Sequence, residues 1–237
     1  MHITKATRGA VPNVGCGDII WILATVRSPW GSLPISLDQR IRVADVQPRP
    51  SGGFCFIADP SDSLWFPLCD SRRLMSRLKW ITAKGEVMPL VPDDQRDPAH
   101  ILQSMRELDT GLDIEGWADE MLRKDTTFVS YRIADGTPSA FRACQQLMSE
   151  GRALFWDRWS LPRRVVESRE WAESGPLDEY LFERLRLSSQ VVPIESPRYG
   201  EAGSYSAREL QEATKRGTLQ KPFVATGEGP ALLLKGT

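Results

Sequence analysis

Histidine is almost absent from this 237-residue chain: there are two, His2 and His100. That argues against a Ser-His-Asp triad and against a histidine-rich metal site, and no metal site is expected. The four cysteines, Cys16, Cys55, Cys69 and Cys144, form no CxxC pair, which excludes zinc ribbons and thioredoxin-like redox motifs. No apolar run reaches the roughly 18 residues of a membrane span, and no signal-peptide pattern is visible. The expectation is a soluble, cytoplasmic protein with reduced thiols and no membrane partner. Nor is there an excess of one charge: Lys+Arg number 30 and Asp+Glu 31, for a net charge of −1. A strongly basic nucleic-acid surface is excluded, although a local basic patch is not. Any chemistry must rest on carboxylates, hydroxyls, aromatics and arginines.

What is present divides the chain into two styles. The first half carries short apolar runs, residues 18–26, 39–46, 53–58 and 62–67, punctuated by prolines that belong at strand edges and turns. In the second run Ile41 and Val43 alternate with Arg40 and Arg42, the pattern of a half-buried strand. A small β-rich barrel or a strongly bent sheet is expected over residues 1–98, with a helix over Ser71–Ile81 from the spacing of Leu74, Leu78 and Ile81. Residues 89–98 read as a linker, and residues 99–124 as a helical connector with a break near Gly111. From Asp125 onward strands and helices alternate. Strands are expected at residues 126–131, 153–159, 190–194 and 222–225. Helices are expected at residues 139–149, near 177–187, and at 206–216 closed by Gly217. Such alternation predicts an α/β domain over residues 125–237, with a parallel sheet and a ligand crevice at the carboxyl ends of its strands.

Those strand ends hold Ser130-Tyr131-Arg132, then Phe155-Trp156-Asp157-Arg158, then the segment from Ser196 to Leu210. Aromatics, arginines and carboxylates would converge on one crevice, suited to a ligand with phosphates and flat rings. The same segments resemble the Toll/interleukin receptor (TIR) domain. FVSYRIAD (Phe128–Asp135) is similar to its opening strand and loop. LFWDRWSLP (Leu154–Pro162) is similar to its second strand and BB loop, here Ser160–Arg164. SSQVVPIESPRY (Ser188–Tyr199) is similar to its "S-x-x-V-I-x-S-x-x-Y" strand, and SYSARELQEA to its "S-x-W-C-x-x-E-L" helix start, with Tyr205 and Ser206 replacing the tryptophan and cysteine.

The resemblance implies a flavodoxin-like parallel sheet and an enzyme that cleaves NAD, its substrate rather than a cofactor, at the nicotinamide–ribose bond. It implies Glu209 as the catalytic residue, with Arg132, Phe155, Tyr205, Tyr131 and Asp157 contacting substrate. It also implies self-association through the BB loop and a place in prokaryotic antiphage immunity. A fixed carboxylate suits that chemistry, because the departing ring leaves a ribose with oxocarbenium character. Ser206-x-x-Glu209 also reads as a capping box, in which a first-turn glutamate stays ionised in the helix dipole. Asp157 reads equally as a loop-capping acid, and Phe155 is placed on the site by the resemblance alone.

The first half has a weaker resemblance to PUA-like barrels, carried by GDIIWIL (Gly17–Leu23), QRIRVADV and SRRLMSRLKW (Ser71–Trp80). It implies a nucleic-acid or nucleotide trigger, with Arg72, Arg73, Arg77 and Lys79 on phosphate and Trp21, Trp30 or Trp65 stacking on a base; the same residues read equally as a structural or oligomerising barrel with core tryptophans and a solvated basic helix. Three readings stay open at this point: an NAD-cleaving effector, a non-enzymatic TIR adaptor, and a nucleic-acid-binding module.

Overall fold

The computed structural model describes residues 2–4, 13–75, 79–81, 87–89, 108–109, 114–161 and 176–223. The linker at 90–98, most of the expected helix at 99–113, the BB-loop residues Pro162–Arg164 and everything after Phe223 lie outside the described residues.

The fold is mixed α/β, with antiparallel sheets and one parallel sheet. Its two compact units interleave along the chain. The first comprises residues 1–24, 35–66 and 71–122, and the second 25–34, 67–70 and 123–237.

In the first unit, β1 (His2–Thr4), β2 (Ile19–Ala24), β5 (Ser36–Pro48), β6 (Phe54–Ala58) and β7 (Leu64–Trp65) form an antiparallel sheet. The long strand β5 organises it: its first half pairs with β2 and β7, and its second half pairs with β6 after an irregularity between Val43 and Asp45. Alternation explains the burial, since Leu37, Gln39, Ile41 and Val43 point inward while Arg40 and Arg42 point outward to Asp62. The expected strands thus pair as one antiparallel sheet; closure into a barrel is not seen among the described residues. The expected basic helix is corrected. Helix α1 spans only Arg72–Met75, and Lys79–Ile81 is instead strand β8, paired with β9 (Val87–Pro89) and β10 (Leu108–Asp109). Lys79 therefore does not share a helix with Arg72 and Arg73, and Arg77 lies outside the described residues. Residues 108–109 are likewise strand rather than helix, and the connector's helix α2 is Ile114–Arg123.

The second unit is built on three parallel strands in the order β12–β11–β13: Ala153–Phe155, Thr126–Ser130 and Gln190–Pro193. Leu219 and Phe223 bridge in parallel to Val191 and Ile194, beside β13, and Leu68 bridges antiparallel to Leu154. The strands are apolar on both faces because both are covered. One face, with Val129, Leu154, Trp156, Val192 and Ile194, packs on helix α3 (Ile133–Ser149) through Phe141, Cys144 and Met148. The other, with Phe128, Phe155 and Val191, packs on helices α5 (Pro176–Leu187) and α6 (Tyr205–Arg216) through Leu185 and Ala213.

The hairpin of β3 (Arg27–Ser28) and β4 (Gly31–Ser32) also belongs to this unit. It lays Trp30 on Phe141, with ring centroids 6.1 Å apart, and Gln145 donates to the Ser32 carbonyl at 2.7 Å. Trp30 is thus a packing residue rather than a base-stacking platform. Two expected boundaries move. Helix α3 begins at Ile133, six residues before Ser139, and carries Pro138 inside it. The strand expected through Trp159 stops at Phe155, and Asp157–Ser160 turns into the short helix α4.

Candidate active site

Three facts of local structure bring the site together. Along β11 the side chains alternate, so Val129 and Tyr131 face α3 while Phe128 and Ser130 face α5 and α6. Along α6 the buried positions are Ser206, Glu209 and Ala213, a stripe at helical spacing that looks onto the sheet. Finally, β12 ends where Asp157 turns the chain into α4, so its carboxyl sits at the carboxyl end of the sheet. The result is a cavity of about 630 Å³ at that end, within the range of small-molecule sites. Phe128, Leu161, Leu177 and Leu181 supply apolar walls, and Tyr131, Arg132, Asp157, Arg158, Tyr205 and Glu209 supply polar ones.

Glu209 is 7% exposed, and its Oε2 accepts a hydrogen bond from Ser130 Oγ at 2.6 Å. Burial pushes its carboxyl up to about 8; the Ser130 bond opposes that, while the negative charge of Asp157 adds to it. The capping-box reading is corrected. Ser204 is the N-cap, its Oγ accepting from Ala207 N at 3.1 Å, so the helix starts one residue earlier than the sequence suggests. Glu209 then lies beyond the first turn, and the expectation that the helix dipole keeps it ionised gives way to desolvation.

Asp157 lines the same cavity. Tyr131 Oη donates to its Oδ1 at 2.7 Å and Arg158 N donates to the same oxygen at 2.7 Å. Burial nevertheless raises its carboxyl above the ordinary range, and raises the Tyr131 phenol strongly as well, with Asp157 adding to that effect. Asp157 does act as a turn acid, through the Arg158 amide, and it also lines the cavity.

Arg132 lines the cavity but is not idle: its guanidinium lies 3.5 Å from Asp135 and 3.8 Å from Glu201. Tyr205, 43% exposed, stands one turn before Glu209, and its hydroxyl donates to Asp178 of α5. Arg208 reinforces that post, donating to Asp178 at 2.7 Å with its guanidinium over the Phe182 and Tyr205 rings. The hydroxyl is what ties Tyr205 to Asp178 and hence α6 to α5.

Phe155 is the exception. It is 5% exposed, stacks on Phe128 with centroids 5.1 Å apart, and packs among Leu185 and Tyr180 rather than lining the cavity. The resemblance places Phe155 on the site. Because both sheet faces are covered, Phe155 and Trp156 are both core. Ser130, Tyr199, Arg158 and Asp178 are site residues without an assigned role in the sequence. Ser130 and Tyr199 stood inside quoted motifs, whereas nothing local marks Asp178.

No known protein family, curated protein or solved structure matches this chain. The chemistry of the cavity therefore carries the functional reading. Among the described residues no group of three or more His, Cys, Asp or Glu side chains could hold a metal ion, and no helix is long and apolar enough to cross a membrane.

Proposed function

We propose that the cavity binds NAD and cleaves its nicotinamide–ribose bond, with Glu209 stabilising the ribosyl cation. The observation that carries this reading is a buried glutamate on the wall of a small-molecule cavity, one helical turn from an aromatic ring and near a second carboxyl. Two acids in one apolar pocket are costly unless a cation joins them. The oxidised nicotinamide ring is such a cation, and its charge would draw Glu209 from the protonated form into the carboxylate. Bond breaking sends the C1′–N electron pair into the ring, which leaves neutral and needs no general acid. The positive charge then rests on the ribose, where the Glu209 carboxylate is worth most in a dry site. Water adds to C1′ and its proton passes to Glu209 or solvent, giving nicotinamide, ADP-ribose and one proton; a hydroxyl of the substrate in place of water would give a cyclic product. Tyr205 offers a stacking face and Arg132 a forked donor for the diphosphate, in part exchange for Asp135 and Glu201.

The flavodoxin-like architecture belongs to the same proposal. Its support is the strand order β12–β11–β13 with parallel bridges at Leu219 and Phe223 beyond β13, which follows the first four places of a 2-1-3-4-5 sheet. Self-association, a trigger at the first unit and a role in antiphage defence remain proposals implied by the TIR resemblance.

The test is incubation of the purified protein with NAD, with nicotinamide and ADP-ribose resolved by chromatography. Glu209→Gln should lower turnover about 10²-fold or more. A wild-type protein that leaves NAD intact under conditions that drive its assembly would overturn the proposal and favour the adaptor reading.

A further inference from the structure

Glu209 does not stand alone in the cavity wall. Tyr199 Oη and Ser130 Oγ are 2.8 Å apart, and Ser130 Oγ is 2.6 Å from Glu209 Oε2. A serine hydroxyl has one proton, and a carboxylate can only accept. With Glu209 ionised, Ser130 therefore donates to Glu209 and accepts from Tyr199. The chain has a direction: Tyr199, then Ser130, then Glu209. Burial keeps the Tyr199 phenol protonated, pushed up to about 12, so it remains a donor wherever the carboxylate exists.

The parts of this chain come from three separate elements. Ser130 ends the central strand β11 and is fully buried; Tyr199 lies in the loop after β13 and is partly exposed; Glu209 is on α6. Packing alone has no need of hydroxyls here, since an alanine at 130 would fill the strand end without a polar group to satisfy. What the hydroxyls do is occupy one oxygen of the carboxyl from the protein side, so that the second is left for a ligand. Resting on the NAD reading above, we propose that Ser130 and Tyr199 are positioning residues that fix Glu209 by Oε2 and present its other oxygen to the ribose. Cooperativity strengthens the arrangement, because donation from Tyr199 polarises the Ser130 hydroxyl and makes it a better donor. Ser130 opposes the burial that raises the Glu209 carboxyl. The other charged and titratable groups around Glu209 are Asp157, which works against its ionisation, and Arg208, which favours it. Tyr131, Arg132, Arg158 and Tyr205 complete the cavity wall.

The experiment compares wild type, Ser130→Ala, Tyr199→Phe and Thr214→Ala in two readouts. One is the titration of the Glu209 carboxyl carbon by NMR in the full chain without NAD; the other is kcat and KM for NAD. Thr214, an exposed hydroxyl on the same helix bonded to the Leu210 carbonyl, is the control and should move neither. Tyr199→Phe should raise the Glu209 midpoint above that of wild type, and Ser130→Ala should raise it further. The kcat should fall in the same order, by about tenfold to a hundredfold for Ser130→Ala, the scale of a hydrogen bond to a charged group, with KM nearly unchanged. Should Ser130→Ala fail to fold, Tyr199→Phe decides, since it keeps the ring at a partly exposed position. A midpoint unmoved in both variants would overturn the proposal even if NAD is cleaved normally. Midpoints that move in a protein inert toward NAD would instead sink the NAD reading and leave the hold on Glu209 standing.

Discussion

Replacing Glu209 by glutamine should change how stability depends on pH, and the structure sets both sign and size. The carboxyl titrates at about 8 in the folded chain against an ordinary value of 4.5. Between those values the folded protein holds a proton that the unfolded chain releases. Stability therefore falls as pH rises through that window, because the folded state binds more protons. The contribution is fully present below pH 4.5 and is lost as pH passes about 8. At about 1.4 kcal/mol for each tenfold in proton affinity, the gap corresponds to about 5 kcal/mol as an upper bound, which water entry and local relaxation would reduce to about 2–3 kcal/mol. Glutamine has the same shape and an oxygen that can accept from Ser130, but it cannot ionise.

The assay is urea unfolding of wild type and Glu209→Gln at intervals from about pH 5 to about pH 9. The difference between the two proteins cancels every group that titrates alike in both. Near pH 5 the variant should match wild type within about 1 kcal/mol, the scale of one neutral hydrogen bond. Toward pH 9 it should become the more stable protein by about 2–5 kcal/mol. Asp157 enters the difference, since loss of the Glu209 charge relieves its repulsion, and it acts in the same direction. Two curves that stay parallel across the range would refute the desolvation argument, whatever the protein does to NAD.

Three further outcomes follow from the same geometry. On the proposed NAD reading, kcat/KM should rise with pH through a midpoint near 8 and level off above it, because that ratio reports the free enzyme and the carboxylate would be the active form; a rate profile flat from about pH 6 to about pH 9 would contradict it. Tyr131→Phe removes a donor from Asp157 and should cost about 1–3 kcal/mol while raising the Asp157 carboxyl further, as read by denaturation and carboxyl NMR; an unmoved Asp157 would show that the bond does not hold it. Ser204→Ala should lower stability by about 0.5–2 kcal/mol as the N-cap of α6 is lost, and an unchanged melt would return the cap to Ser206.

The sheet of the second unit could be read from local pattern because its strands are short apolar runs bounded by polar residues and closed by helices with clear ends. Gly217 is the plainest case: it adopts φ 69° at the C-cap of α6, where a side chain would be strained. What escaped the sequence was decided by contacts distant in the chain. ALFWDRW reads as one strand, yet its apolar residues divide between two cores and the strand stops at Phe155. Trp30 looks like a surface aromatic in a proline-rich stretch, and only the fold shows it against Phe141. The helix expected from Ser139 already runs from Ile133, with Pro138 inside it and Thr137 Oγ1 donating to the Ile133 carbonyl at 2.6 Å.

The site was readable for a different reason. Ligand groups gather at the carboxyl ends of parallel strands, and Tyr131, Arg132, Asp157 and Glu209 all follow such ends in the sequence and line one cavity in the structure. The cap assignment failed because Ser204 and Ser206 are both able to cap, and two residues of register decide whether Glu209 is a first-turn surface acid or part of the buried stripe. The structure puts it in the stripe with Ser206 and Ala213, where an alanine or leucine would serve folding better than a carboxyl. Local preference and global fold conflict at this one position, and the hydroxyls of Ser130 and Tyr199 are arranged to tolerate the conflict. A chain under selection for stability alone has no reason to retain that arrangement, which is the physical ground for looking to Glu209 for chemistry.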